Sequence, residues 1–538
     1  MPDRRILDFL VRCYMDLVNW IDQVVCPANF LSNYQKWKAR GAPSSVDDVE
    51  FAVLLLRLCS YAAQFLPSPS YPVDRVRSML LGDIRKQCDN IGDRLAKTCT
   101  SLDPRGSLVR VQHLMISGLS AQCEGRNDTF WETIGHTVLA AQRLGICKDP
   151  PSPIHAGLCW TEAELRQSTL CNLYVWDSIL SRQLDRMPFL PDDSVDCAGG
   201  LLVQATTSEA GDACGTPDFF TERLLQARLA RFWRSFRPRQ GADYDLAIAE
   251  ERYDKFCSEY LASLPSAFSF PPNKQWDGRL PKLPLQRQLL YICIFDCICW
   301  NFRSALLIDP DRVRDLPRYK QVQLASQKRV LAVSALNVLS SVAVLHNMLG
   351  ASYTRHPGIV IHMFEAAILV GSLCIDPDFP GAEYGGSTQN IAPLGCFDVD
   401  IRTLTRGHCI KSVQDAVGRL RKLADVSEMA DAGMRTLAIL TDKMVLDRAE
   451  EAVDVAGIQH AMAEDSSCML PFIDAADYGN AVDWLEFEQN HPDQNHPDQT
   501  VCLESPHSAK VSDDLNFILQ MQTDYGFGDG PYVSSQSL

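Results

Sequence analysis

Residues 161–188, TEAELRQSTLCNLYVWDSILSRQLDRMP, constrain the fold more than any other stretch, because they specify a long amphipathic helix with both ends marked. Leu165, Thr169, Leu173, Trp176, Leu180 and Leu184 recur at spacings of three or four and line one helical face. Thr161 and Glu164 make a capping box at the start. Pro188 and Pro191 end the helix, since proline lacks the amide a helix interior needs and disfavours helix in the residue before it. On another face Asp177 and Ser181 lie one turn apart, with Arg182 beside them and Arg186 a turn beyond. Those polar groups are placed to tie the helix to the loop that follows.

The same periodicity recurs along the chain while strand signals stay few and short. Ile6, Leu10, Cys13, Leu17, Ile21 and Val24 mark a first helix stopped by Pro27. Ser45 and Asp48 cap a second that runs to Pro67. A helix over residues 131–144 ends at Gly145, the residue best suited to a left-handed cap. The Asn127 sequon reads as a helix start. Further helices are predicted over 222–236, 285–307, 321–349, 358–374 and 410–444. The predicted fold class is all-α: a large stack of antiparallel helical hairpins with a disordered acidic C-terminal tail. Its expected divisions are residues 1–260, a helical continuation over 261–460, and a tail over 461–538.

Composition narrows the function classes. The 538 residues are 46% hydrophobic, enough for a large core. The first 20 residues lack the apolar core and cleavage site of a signal peptide. The most apolar run, 289–307, is broken by Asp296, Asn301 and Arg303, so it reads as a buried core helix, and no membrane contact is expected. Twenty cysteines scattered without regular spacing read as reduced core residues. Cys293, Cys297 and Cys299 share an apolar helix with no histidine close in sequence, and read as buried thiols, not metal ligands. His113, His136, His346, His356, His362 and His408 stand isolated and read as structural. There is no Gly-x-Ser-x-Gly, no phosphate-binding lysine loop and no His-Glu-x-x-His, so the chain is not read as an enzyme and no catalytic residue is assigned.

The order of residues in the 161–188 helix resembles the middle homology region of fungal zinc-cluster transcription factors. There an acidic residue, a run of arginines, two tryptophans, then Leu, Asp, Ser and Arg-Pro follow one another. Glu164, Arg166, Leu173, Asp177, Ser181, Arg186 and Pro188 match, with Trp176 on the apolar face. Leu170 and Cys171 stand where the tryptophan pair is usual, and Met187 separates Arg186 from Pro188. A second block is similar to the paired helices that precede this one in the family: Gln112, His113 and Leu114, then Gly125, Trp131, Arg143, Leu144, Gly145, Asp149 and Pro150. A third, from Val18, Asn19 and Trp20 through Pro27, Phe30, Tyr34 and Trp37 and on through residues 51–67, resembles the start of the region. Together they cover about the first 260 residues.

The resemblance implies a nuclear transcription regulator that controls a metabolic or secondary-metabolite gene set. The family's DNA reader uses six cysteines in two Cys-x2-Cys-x6-Cys halves around zinc, and this sequence has no Cys-x2-Cys. No cofactor is therefore expected within it, and zinc and DNA binding only if an N-terminal zinc cluster precedes it. Two explanations remain open: a missing first segment, or a regulator that acts on other zinc-cluster regulators. Other readings are a small-molecule-sensing body with a pocket around Trp176 and Trp300, and an enzyme of a biosynthetic cluster.

Charge is segregated. Residues 461–538 hold 14 acidic residues and one basic residue, for a net −13, out of −16 in the whole chain. The repeat NHPDQNHPDQ at 490–499 cannot build a core. Around it, acids alternate with bulky apolar groups: Phe472, Trp484, Leu485 and Phe487, then Leu515, Phe517, Leu519, Tyr525 and Phe527. This is the composition of an activation segment, whose apolar groups stay available to a coactivator or the transcription machinery. Arg223, Arg228, Arg231, Arg234, Arg237 and Arg239 read as a solvated arginine face. Alternatives are phosphate contact, an import receptor, or a hold on the acidic tail.

Overall fold

A computed structural model describes residues 2–40, 43–67, 71–148, 160–195, 217–236, 244–350, 355–376, 378–380 and 404–444. The expected tail and its apolar residues lie outside this set, as do Asp149, Pro150, Arg237 and Arg239. Among the described residues strand is confined to one two-residue hairpin, Arg75–Val76 against Met79–Leu80. Everything else that is regular is helix, as the periodicity requires.

The first half begins with α1 (Arg4–Cys13), which passes through a π turn at Tyr14–Val18 into the short α2 (Asn19–Asp22). The chain then turns at Gln23, held at φ 51°. Pro27 does not stop the first helix as expected: it opens α3 (Pro27–Arg40), where a missing amide costs nothing. Helix α4 (Val46–Ala63) starts on Ser45, whose hydroxyl accepts the Asp48 amide, and is buried on nearly every face. The expected reciprocal box is incomplete, because the Asp48 carboxylate turns back to the amide and hydroxyl of Ser44 instead. Helix α5 (Leu81–Leu102) packs on α4. It escaped the sequence reading because Ile84, Cys88, Gly92 and Cys99 give it a thin buried stripe of small residues. Next come α6 (Leu108–Cys123), α7 (Asn127–Arg143), α8 (Glu162–Gln183) and α9 (Thr221–Arg234). The α6–α7 pair, joined by three residues, is a close hairpin in which Gly118 admits the Phe130 ring: a Cβ there would lie 2.7 Å from it.

The second half contains α10 (Leu246–Lys255), α11 (Leu283–Phe302), α12 (Pro310–Asp315), α13 (Arg318–Met348), α14 (Pro357–Ile375), α15 (Arg406–Leu423) and α16 (428–444). The expected helix over 410–444 is two helices. Ser427 breaks it by capping the second, accepting the Ala430 amide at 3.3 Å, while the apolar period runs on across the break. The helical stretches Leu283–Leu307, Arg318–Met348 and Pro357–Ile375 are each long and apolar enough to cross a membrane by composition. In the fold they pack on one another, and 67%, 78% and 78% of their most apolar windows are buried inside the body. One core cluster runs from Ile6 to Met444 and joins both halves.

Candidate regulatory site at the motif helix

Helix α8 starts as its sequence dictates. The Thr161 amide donates to Glu164 Oε2 at 2.6 Å, and the Glu164 amide donates to the Thr161 hydroxyl at 3.3 Å. Arg166 donates to the carbonyl of Leu144 at 2.8 Å, at the end of α7 where Gly145 turns away with φ 75°. Two sequence blocks thus meet at one helix end, and the cation faces the negative end of α7. Gln112 donates to the carbonyl of Val24 at 3.1 Å, which ties the second block to the third. His113 is buried beside it in sequence; desolvation, and then Arg57 and Arg110, pull its pKa down to about 3, so it is neutral.

At the other end Asp177, with no exposed surface, accepts the amides of Phe189 and Leu190, both at 2.9 Å. Arg234 of α9 stands 3.8 Å from the same carboxylate and bonds Asp192 at 2.9 Å. Burial raises the pKa of Asp177, against the two amides and Arg234. The loop reverses at Asp185, φ 49°, with the Arg186 amide on the Ser181 carbonyl at 2.9 Å. It then lays Phe189 on Trp131, ring centres 4.5 Å apart, and over Gly135, where a Cβ would lie 2.8 Å from the ring. Arg186 covers the other partner: its guanidinium is 4.7 Å from the Trp131 ring centre and bonds Asp128 at 2.6 Å. Pro188 is half-buried in this loop. Asp177, Ser181, Arg186, Pro188 and Trp131 therefore share one corner, and the polar face of the helix does tie the following loop.

The middle of α8 sits on a buried polar cluster. Leu173 is fully buried, and Trp176 is closed in by Phe130 at 6.2 Å and by the Arg223 guanidinium at 5.5 Å. Arg223 donates to Asn172 at 2.8 Å, Gln226 at 3.1 Å and Asp22 at 3.3 Å. Glu222 has no exposed surface, and one of its oxygens has no hydrogen-bond partner. Burial pushes its pKa up to about 7, although Arg223 and Gln226 oppose the shift. The expected solvated arginine face is thus corrected at its two ends. Arg223 and Arg234 point inward because buried acids wait for them on other helices; Arg231 is exposed, and Arg228 lies over Tyr260.

At the last turn of α8, Arg182 bonds Asp296 of α11 and donates to the Cys297 thiol at 2.7 Å. Beside this contact lies a cavity of about 30 Å³, bordered by Gln183, Asp296, Trp300, Arg303, His362 and Glu365. That volume is the share of a water molecule or single ion, and an organic effector is many times larger. Among the described residues Trp176 is packed and Trp300 borders this small space, so these residues outline no effector-sized pocket around the two tryptophans. Sequence reading missed Asp22, Arg234, Asp296, His362 and Glu365 as a set, since the contacts Asp22–Arg223, Asp177–Arg234, Arg182–Asp296 and Asp296–His362 each join residues more than 50 positions apart. The available signal was a charged or imidazole side chain inside an otherwise apolar run, as in YICIFDCICW and IHMFEAAILV.

The family profile described as the fungal specific transcription factor domain matches residues 9–210. Over 454 residues, 83% of the chain, the sequence is 44% identical to transcription factor xilB of Penicillium rubens, and the match covers 66% of that protein. Over 448 residues, 82% of the chain, it is 35% identical to the probable transcription factor sol4 of Alternaria solani, covering 79% of it. The chain thus spans just under two thirds of xilB. No solved structure matches. Similarity of this extent, reaching well past the three motif blocks, makes the chain a member of the fungal transcription factors that carry the fungal-specific transcription factor domain.

Proposed function

We propose that this transcription factor acts in the nucleus on a metabolic or secondary-metabolite gene set, and that its helical body gates an acidic activation segment at 461–538. The carrying observation is the partition of the chain: 14 acids and one base fall in its last 78 residues, interleaved with Phe472, Trp484, Leu485, Phe487, Leu515, Phe517, Leu519, Tyr525 and Phe527. Acidic charge keeps such side chains solvated, so a coactivator groove can order them as a short helix. The body contributes through α8, whose capped start and Asp177-anchored end join the front blocks to α9 and α11. A shift of that helix is felt on both sides. DNA contact, and the zinc it needs, belong to a module outside this sequence or to a partner zinc-cluster regulator. The role is regulatory, not enzymatic: the polar residues of the motif engage one another and the backbone.

Two fusions to a heterologous DNA-binding domain test this. Residues 461–538 alone are expected to drive a reporter strongly, and the whole chain more weakly. Equal silence from both fusions removes the activation segment, and equal activity removes the gate.

A further inference from the structure

We propose that Asp296, His362 and Glu365 form a site for a single divalent cation of the zinc class, in the cavity at the end of the motif helix. His362 and Glu365 are three residues apart on α14, so they share a face one turn apart. Asp296 approaches from α11. One ligand atom from each lies within 4.8 Å of the other two, a spread that small side-chain rotations close around an ion bound at about 2.0–2.2 Å. The cavity they border, about 30 Å³, has room for an ion or a water molecule. Nδ1 of His362 is buried without a hydrogen bond; Asp296 Oδ1, 3.7 Å away, is too far to supply one. A buried imidazole nitrogen that makes no hydrogen bond and faces two carboxylates across an ion-sized space is a ligand set that a Lewis acid can complete.

The surrounding charges select the kind of ion. Arg182 already engages the second oxygen of Asp296, and the partly exposed Arg303 borders the same cavity. A hard cation held by charge alone, such as magnesium or calcium, therefore gains little here. One nitrogen and two oxygen ligands favour a borderline metal that gains from imidazole coordination, with zinc above manganese. Arg182 also makes the site consequential, since it orients Asp296 as an outer-shell partner and belongs to α8. An ion bound here pins α11 to α14 and stiffens their contact with the motif helix. The inference does not depend on the tail gate.

The test uses the full chain, stripped with a chelator and titrated with Zn²⁺ by calorimetry and with Co²⁺ by absorption. One equivalent is expected, and the Co²⁺ spectrum should lack thiolate charge-transfer bands despite the abundant cysteines. Glu365→Gln, which keeps the side-chain shape, and His362→Ala should each weaken binding roughly tenfold or more. Far-UV circular dichroism of Glu365→Gln checks that the fold persists should His362→Ala unfold. No binding, thiolate bands, or an affinity unchanged in Glu365→Gln each overturns the site.

Discussion

The two halves of the body are held by different physics. Around α4 to α9, helices meet through buried ion pairs and hydrogen bonds: Glu50 with Arg110, Asp22 with Arg223, Asp177 with Arg234. Around α13 and α14 the packing is mainly apolar, with Leu331, Val333, Val342, Ile359, Val360, Ala367, Val370 and Leu373 all fully buried, while the polar groups buried there, such as Gln327, Ser334, Asn337, His346 and Ser372, are mostly uncharged and the Lys328–Asp376 pair is part-buried. Apolar packing supplies free energy but accepts many neighbours, whereas a buried charge accepts only the partner that satisfies it. The first half is therefore specified more by charge pairing, and the second more by volume, with the Arg182–Asp296 contact the exception where the two halves meet. The difference places the specific contacts around the motif helix.

Perturbation can break this contrast. The largest effect is expected where both kinds of contact coincide. Trp176→Ala should lose about 3–5 kcal/mol in urea unfolding, since it empties a large buried site and uncovers Arg223; a loss under about 1 kcal/mol would mean the ring is not a core element. Asp177→Ala should cost a similar amount, about 3–5 kcal/mol, by stranding Arg234 and two loop amides. If proteolysis then fails to cut residues 185–195 faster than in the parent, the carboxylate is not what holds that loop.

Smaller effects sharpen the comparison. Gly135→Ala should cost about 1–3 kcal/mol, because its methyl group meets the Phe189 ring; the companion change Phe189→Leu should recover part of this, and no recovery would place the strain elsewhere. Glu222→Gln tests the burial of charge. The folded pKa of Glu222, about 7, lies above the usual 4.5, so its favourable contribution is full below pH 4.5 and is lost as pH rises through 7. The variant should be more stable than the parent at pH 8, on the order of 2 kcal/mol, and no more stable at pH 4.5. Thermal melts across that range decide it, and a pH-independent difference would discard the assignment. Least of all should Leu331→Met matter, at under about 1.5 kcal/mol, if the second half needs only volume; a loss as large as that of Asp177→Ala would erase the contrast.

Much of the first half was legible one element at a time. The capping box, the left-handed turn at Gly145, the Asn127 start and the Asp177 tie to the next loop are local, so the side chain and its target lie within a few residues of each other. Two errors were also local in origin. Pro27 serves equally as a stop or a start, and the apolar period at 410–444 runs straight over the Ser427 cap. The arginine helix was misread for the opposite reason. Arg223 and Arg234 look solvated in their own segment, and only Asp22, 201 residues away, and Asp177 turn them inward. The Asp296–His362–Glu365 cluster was invisible likewise, because Asp296 lies in one apolar run and the His362–Glu365 pair in another, 66 residues on.

The sequence by itself determined that this chain is helical, where its motif helix begins, that its charge is concentrated at 461–538, and which family it resembles; the helix ends at Gln183, ahead of the expected stop at Pro188, because the chain reverses at Asp185. Helicity, the helix start and the charge distribution follow from periodicity, capping and composition, which act over a few residues or over none; the resemblance rests on the order of the motif residues. Only the tertiary structure decided which charges are interior, that Trp176 is buried and, among the described residues, Trp300 borders only a small space, and that an aspartate, a histidine and a glutamate from two helices border an ion-sized cavity. The physical reason is desolvation: the environment of a side chain is made by residues distant in sequence, and it exists only once the helices have packed.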